Sequence, residues 1–365
     1  MYRWLWLMLL CSTPAFSAHQ IVKLSCRCPE RLKGHVIIRQ FATDPTLVVI
    51  DTQDVAQLAA LPSVQYVVAD HPIRLIAPVT IQSADAGVPY SLALTQADQL
   101  HARGIVGDPK LIVAVVDTGS SPDHPELQGR VLAGKNFVTS GPGVDDNGHG
   151  THVSGTIAGL HVGFAPAVQI LPAKFLDRDG SGSLEAALSA IDYAVQQGAR
   201  ILSNSWGGGP LDRPMLDLIR KAEQRGVLFV AAAGNDGQDN DQTPSYPSGY
   251  LADNVVAVAA TDQRDLLASF SNYGLRSVHV AAPGVAILSS YLGGKYAKLS
   301  GTSMATPAIT GTAALMMSVN PRLTPRQIRD ILVETADPID GLSGASVSRG
   351  RLNALKAVET AQRTR

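Results

Sequence analysis

At 365 residues, with 45% apolar and 17% charged side chains, the chain is long enough for one large globular domain plus a smaller piece. Its net charge of −1 carries no basic or acidic excess, which excludes charge-driven binding to nucleic acid or an anionic membrane surface.

The first residues read differently from the rest. Arg3 precedes the apolar run Trp4–Leu10, and Pro14-Ala15-Phe16-Ser17-Ala18 supplies small residues for cleavage, so residues 1–18 are expected to be a secretory signal peptide. A cut after Ser17 leaves Ala15 and Ser17 at the two small-residue positions and is preferred to one after Ala18, which would put Phe16 in one of them. The run is too short for a mature anchor and no later segment is apolar enough to span a bilayer, so a secreted or periplasmic protein is expected. Cys11 lies within this segment; Cys26 and Cys28, one residue apart, seldom bridge each other without strain, and no partner ligands near Cys26-Arg27-Cys28 suggest a metal. No cysteine follows Cys28, so the main domain is not stapled by disulfides.

Residues 19 to about 76 form a first unit. His35–Arg39, Leu47–Ile50 and Val64–Val68 are strand-like and Asp54–Leu61 is helix-like, which predicts a small open-faced α+β module. From Pro78 to Pro89 periodicity is lost and the chain reads as a linker. Beyond it, strands and helices alternate. Thr95–Arg103 is predicted helical, Leu111–Val116 a strand buried on both faces, His149–Ala158 a helix rich in small residues, Val168–Phe175 a strand and Leu184–Gln197 a helix ended by Gly198. Ile201–Ser203, Val227–Ala232, Val255–Ala260 and Val278–Ala281 are further strands, with a helix over Pro214–Arg225. Ala305–Val319 has apolar residues at spacings of three and four, and Thr324-Pro325-Arg326-Gln327 is a capping box opening a last helix. The alternation predicts an α/β fold: a doubly wound parallel sheet with helices on both faces, preceded by the small α+β module. In such sheets function gathers at the carboxyl ends of strands.

Four polar residues stand at the end of a strand or the start of a helix, and each alone has a plain structural role. Asp117 follows Leu111–Val116 in Val-Val-Asp-Thr-Gly, where an aspartate can simply cap a turn. A paired aspartic-protease site would need a second copy in a similar strand and turn setting, which the chain lacks. His149 lies in Asn147-Gly148-His149-Gly150-Thr151-His152; the His-Glu-x-x-His spacing of a zinc pair is missing, and His152 reads as a packed core residue. Asn235 follows Val227–Ala232 in Ala-Ala-Gly-Asn-Asp-Gly, either a turn residue or an amide donor aimed at an oxyanion. Ser303, in Gly301-Thr302-Ser303-Met304-Ala305-Thr306-Pro307, sits near a helix start, either as an N-cap or where unpaired N–H groups and the helix dipole favour a developing negative charge. Together they are an orienting carboxylate, a base, an oxyanion donor and a nucleophile.

These four motifs, in this order, closely resemble the subtilisin-like serine proteases, from about Val88 to Val358. The resemblance implies Ser303 as nucleophile, His149 as general base, Asp117 as the carboxylate fixing the histidine tautomer, and Asn235 with the Ser303 N–H as oxyanion hole. It also implies that residues 19–85 are an inhibitory, chaperone-like propeptide and linker, that 86–365 are the peptidase domain, and that the precursor processes itself. Ser205, Trp206 and Gly207 match one edge of the substrate cleft, and Ser181, Gly182 and Ser183, after Gly180, match the other. A polypeptide lying between them as an added strand gives broad sequence tolerance. The expected partners are polypeptide substrates and the chain's own propeptide, with a monomeric enzyme that requires no cofactor.

The departures concern calcium and the first specificity pocket. Residues 155–163 are short where many relatives insert a calcium-binding loop, and Glu126 alone cannot make a six-to-eight oxygen site, so no metal ligands are assigned and structural calcium stays open. Asp177-Arg178-Asp179-Gly180 lacks the closing glutamate of an EF-hand and reads as a turn; Ala308 replaces a histidine common in relatives. Asp236, Asp239 and Asp241 form a solvated acidic loop or place one carboxylate in the pocket, and Ser245 shallows it; mixed specificity is expected. The competing function, an inactive homologue used for binding or chaperoning, is opposed by the presence of all four residues.

Overall fold

Short β-branched runs before residue 70 and alternating strands and helices after residue 90 sort the chain into two units. The computed structural model describes residues 19–32 and 34–365; the expected signal peptide lies outside the described residues. One unit comprises the chain up to Gln40 with Thr46–His71, the other Phe41–Pro45 with Pro72–Arg365.

In the smaller unit, β1 (His19–Leu24), β2 (Val36–Gln40), β3 (Leu47–Asp51) and β4 (Val64–Ala69) form an antiparallel sheet in the order β2-β3-β1-β4, with α1 (Val55–Ala59) between β3 and β4 in sequence. The Asp54 carboxylate accepts from the Gln57 N–H and starts α1. Val22, Leu24, Leu32, Val48, Ile50 and Leu58 make the core. Sequence reading misses β1, whose apolar residues follow the signal-like run without a turn to separate them. Cys26 and Cys28 are joined as a disulfide, against expectation; the turn after β1 brings their Cα atoms to 5.3 Å, inside the range a bridge spans.

The larger unit begins with β5 (Pro72–Arg74) and β6 (Thr80–Ala84), then α2 (Tyr90–Leu94) and α3 (Ala97–Ala102). It continues through β7 (Ile112–Asp117), β8 (Lys135–Asn136), α4 (His149–Ala158), β9 (Gln169–Lys174), β10 (Ser181–Ser183) and α5 (Leu184–Gln196). Next come β11 (Ile201–Asn204), α6 (Arg213–Glu223), β12 (Leu228–Ala232), β13 (Val255–Thr261) and β14 (Val280–Pro283). A hairpin of β15 (Ile287–Tyr291) and β16 (Lys295–Ser300) leads into α7 (Thr302–Val319), and α8 (Pro325–Glu334), β17 (Asp337–Pro338), β18 (Gly350–Arg351) and α9 (Ala354–Arg363) follow.

The central sheet has the order β17-β18-β14-β13-β12-β11-β7-β9-β8, parallel throughout except at β17. Strands covered on both faces need continuous apolar runs, and β12 and β13 are buried at every residue. Helix α7 is buried from Thr302 to Met317 and packs across the sheet and against α4 and α9. Its threonines fit there because Thr306, Thr310 and Thr312 each donate to the carbonyl four residues back.

Two expectations change. The helix expected over Thr95–Arg103 is present as α3 but starts at Ala97, because Gln96, at φ 62°, separates it from α2, which the sequence reading does not include. The predicted linker contains β6, which pairs antiparallel with β16, Thr80 opposite Ser300 and Ala84 opposite Tyr296. Thr80, Ile81, Gln82 and Ser83 are exposed, so this strand is held by its backbone and leaves no side-chain alternation in the sequence.

Two buried histidines predict an acid-sensitive fold. His152 Nε2 donates to the carbonyls of Ile287 and Ala297, and burial pushes its pKa down to about 3. His279 Nδ1 accepts from the Ala257 N–H; burial, then the nearby Arg329 charge, lower it to about 4. Both are held below the ordinary imidazole value near 6.5, so between that pH and about 4 the unfolded chain takes up protons that the folded chain refuses. Stability is therefore expected to fall as pH drops through this window, by about 1.4 kcal/mol per pH unit for each such proton. Thermal melts of the protein across this pH range check this. His279→Gln, whose amide oxygen can still accept from Ala257, should lessen the slope; an unchanged slope would contradict the assignment.

Candidate active site

The C-terminal end of β7 and the start of α4 bring Asp117 and His149 together. Both side chains are buried, and His149 Nδ1–H donates to the two Asp117 carboxylate oxygens at 2.9 and 3.0 Å. That contact fixes the tautomer with Nε2 as the free base, and Nε2 has no hydrogen-bond partner among the described residues. Asp117 also accepts from the Thr118 N–H at 2.7 Å. Gly148 precedes the histidine at φ 107°, and a Cβ there would meet the Tyr291 ring at 2.5 Å, so only glycine admits this helix start.

A residue that sequence reading assigns no role holds the pair in place. Asp145 accepts from the N–H groups of Asn147, Gly148 and Thr151 and from the hydroxyls of Thr118 and Thr151. Thr118 in turn accepts from the Gly150 N–H at 2.9 Å, tying the residue after Asp117 to the residue after His149. Burial raises the Asp145 pKa, but the bonds from Thr151, Gly148 and Asn147 outweigh it and the net value is below the usual carboxylate range. The available signal was an aspartate four residues before the histidine, in a run of turn formers. Buried Lys174 braces the same corner from β9, donating to the Thr118 and Leu176 carbonyls and to Asp146.

Ser303 is the second residue of α7, at the expected helix N-terminus. Pro307 has no N–H for the Ser303 carbonyl four residues back, and the Ser205 hydroxyl donates to that carbonyl at 3.0 Å instead. The Ser303 hydroxyl faces the carbonyls of Ser205 at 3.1 Å and Ile76 at 3.3 Å. Asn235, after β12, turns its amide oxygen to the N–H and hydroxyl of Thr302, both at 2.9 Å. Its Nδ2 is thereby directed outward, where it donates to the Ala77 carbonyl at 3.2 Å. Thr302, the residue before the serine, is the second orienting group the sequence did not reveal. A hydroxyl at a helix start, an imidazole with a free Nε2 and an amide donor directed at a carbonyl oxygen are the groups acyl transfer needs.

Both expected cleft edges carry the chain itself. Ser181, Gly182 and Ser183 pair antiparallel with Arg74, Ile73 and Pro72. The Leu75 N–H donates to the Gly180 carbonyl at 2.8 Å, and Leu75 bridges to Trp206 on the opposite edge. The Ser183 hydroxyl is used elsewhere, accepting from the Ala186 N–H as the N-cap of α5. Gly207 lies against Ile76, where a Cβ would come within 3.1 Å of the Ile76 Cδ1. Ile73 enters a hollow with Trp206, Met215, Tyr246 and Tyr250.

The remaining candidates are engaged in local hydrogen bonds. Asp241 accepts from the Ser277 hydroxyl and the N–H groups of Arg276 and Ser277; burial raises its pKa, these donors lower it further, and its carboxylate is engaged there. Asp239 accepts from the Asp241 N–H. Glu126 accepts from the His161 N–H and the Tyr296 hydroxyl. Asp177 closes the predicted turn onto the N–H groups of Asp179 and Ser181. No group of three or more His, Cys, Asp or Glu placed to hold a metal ion occurs among the described residues.

Residues 108–359 match the Subtilase family. The thermostable alkaline protease of Halalkalibacterium halodurans is 42% identical over 255 residues, 68% of this chain and 68% of its own. Thermitase of Thermoactinomyces vulgaris is 42% identical over 254 residues, 68% of this chain and 88% of its own. Subtilisin E of Bacillus subtilis is 37% identical over 313 residues, covering 83% and 78%.

Asp145→Asn would remove acceptors from buried donors while keeping the shape. Each stranded donor costs about 1–3 kcal/mol, and a misplaced imidazole costs up to roughly 10² in rate. We expect a lower melting temperature and a kcat reduced by about 10–10² with KM nearly unchanged, as measured on a small amide substrate. Wild-type kcat in the variant would rule out the positioning role.

Proposed function

From a chain that belongs to the subtilase family and is a subtilisin-like serine endopeptidase, we propose a mechanism through Ser303, His149, Asp117 and Asn235 in which the first bond cut is its own Ile76–Ala77. The Ser303 oxygen attacks the carbonyl carbon as His149 Nε2 takes the hydroxyl proton, and Asp117 stabilises the imidazolium through Nδ1–H. Asn235 Nδ2 and the backbone N–H of Ser303 receive the oxyanion. His149 then gives its proton to the departing amine, and water, activated by the same imidazole, releases the acyl group. Apart from water, the scheme uses only side chains and N–H groups of this chain and calls on no cofactor.

The observation that carries this reading is the segment Pro72–Ile76 lying along both cleft edges with the Ile76 carbonyl on the Ser303 hydroxyl. The next peptide bond, Ala77–Pro78, would have a proline nitrogen as its leaving group. Asn235 rests on the Ala77 carbonyl, so the amide must pass to the Ile76 carbonyl for attack. Residues before the cut then act as an inhibitor held in the cleft. Substrates bind in the same way, as an added strand with broad sequence tolerance and an aliphatic residue accepted beside Gly207. The signal-like first residues support export of the precursor. Among the described residues no helix is long and apolar enough to cross a membrane. The site is complete within one chain, which supports a monomeric enzyme.

Ser303→Ala, expressed in a host without other proteases, is expected to stay uncut across Ile76–Ala77, whereas the wild-type product begins at Ala77; intact mass and N-terminal sequencing read this. Asn235→Ala should mature slowly and lose about 10²–10³ in kcat, a magnitude carried over from a relative in this family. A Ser303→Ala product beginning at Ala77 would refute self-processing.

A further inference from the structure

Every hydrogen bond that holds β6 lies on the downstream side of Ile76–Ala77. The Val79 N–H donates to the Ser300 carbonyl at 2.7 Å, the Thr80 hydroxyl donates to the Ser300 hydroxyl at 2.7 Å, and the ladder continues to Ala84 opposite Tyr296. Behind the strand, Pro89 is buried and the Tyr90 hydroxyl donates to the Val285 carbonyl at 2.9 Å, so its far end is anchored in the folded unit. Hydrolysis of Ile76–Ala77 breaks none of these contacts.

Strand β16 ends at Ser300, three residues before Ser303. The β16 edge that β6 covers is therefore the edge on which the leaving half of any polypeptide substrate would lie. Resting on the catalytic assignment above, we infer that β6 remains paired with β16 after maturation, so that the enzyme carries its own N-terminal strand across the leaving-group side of the cleft. A substrate extending several residues beyond its scissile bond must displace a tethered competitor whose rebinding is intramolecular. A substrate with a small leaving group, or with the scissile bond near its C-terminus, need not. The exposed side chains of Thr80, Ile81, Gln82 and Ser83 give the strand no apolar anchor, so it is displaceable rather than permanent. The preferred substrate class is thus acyl donors with a short leaving half.

Ile81→Pro/Gln82→Pro tests this. Adjacent positions of a strand direct their N–H groups to opposite sides, so one of the two prolines removes a ladder donor, and neither change touches the core. The matured enzymes are compared on a peptide p-nitroanilide and on a peptide with the same acyl half extended by about six residues. The anilide kcat/KM should be equal in both, while the long-peptide value rises roughly tenfold in the variant, through KM. An unchanged ratio of the two substrates rejects the retained strand alone; inactivity of the wild-type chain on the anilide rejects the catalytic assignment and this proposal with it. If the variant does not mature, hydrogen exchange of the matured wild type decides. Protected amides over residues 80–84 support the proposal, and exchange as fast as in a free peptide overturns it.

Discussion

The carboxylate of Asp145 sits in the interior with its charge held by five hydrogen bonds, and the geometry of the cleft depends on it. A buried ion without donors would neutralise or unfold its surroundings. Here the donors are the turn before His149, the first turn of α4 and the hydroxyl next to Asp117. Satisfying one charge therefore fixes where a strand ends relative to where a helix begins. The contact between His149 and Asp117 follows from that placement, because each belongs to one of the two segments so joined.

A second constraint acts on the other half of the site. Proline at position 307 leaves the Ser303 carbonyl without its helical partner, a loss that would be costly inside a helix buried along nearly its whole length. The Ser205 hydroxyl takes that carbonyl, and the Ser303 hydroxyl reaches back to the Ser205 carbonyl. The reciprocal pair locks the start of α7 to the segment after β11. The segment after β11 and Ser303 are thus one structural piece, and so are Thr302 and Asn235 through the amide oxygen.

What the sequence made legible was whatever is written in consecutive residues. Helix α4 occupies His149–Ala158 as expected because glycines bound it, and the capping box at Thr324 opens α8 because its two partners are three residues apart. The β strands of the central sheet are apolar runs long enough to read. What stayed hidden depends on groups far apart in the chain. Thr118 and Asp145 are separated by 27 residues, and no local pattern states that they meet. Strand β6 has no periodicity because only its backbone is used, and the break at Gln96 carries no punctuating residue. Asp241 looked available to a pocket because its partners, Arg276 and Ser277, lie 35 and 36 residues on.

An open cleft between strand edges has a cost of its own. Unpaired N–H and C=O groups along β10 and β16 would accept any extended chain, including another molecule's, before the protein is ready to release product. The sequence answers with neighbouring segments of itself: β5 covers β10, β6 covers β16, and one peptide chain runs between them past Ser303. Because both covers belong to one continuous segment, each edge is satisfied by backbone pairing within the chain. The two covers differ only in how they are tied: β5 is joined downstream solely through the bond beside Ser303, whereas β6 runs on into Pro89 and Tyr90 and their fixed contacts. Cutting that bond loosens β5 from the larger unit's main chain and leaves β6 anchored. Asymmetric release of the two edges is thus a property of where the anchors lie, independent of the chemistry that makes the cut.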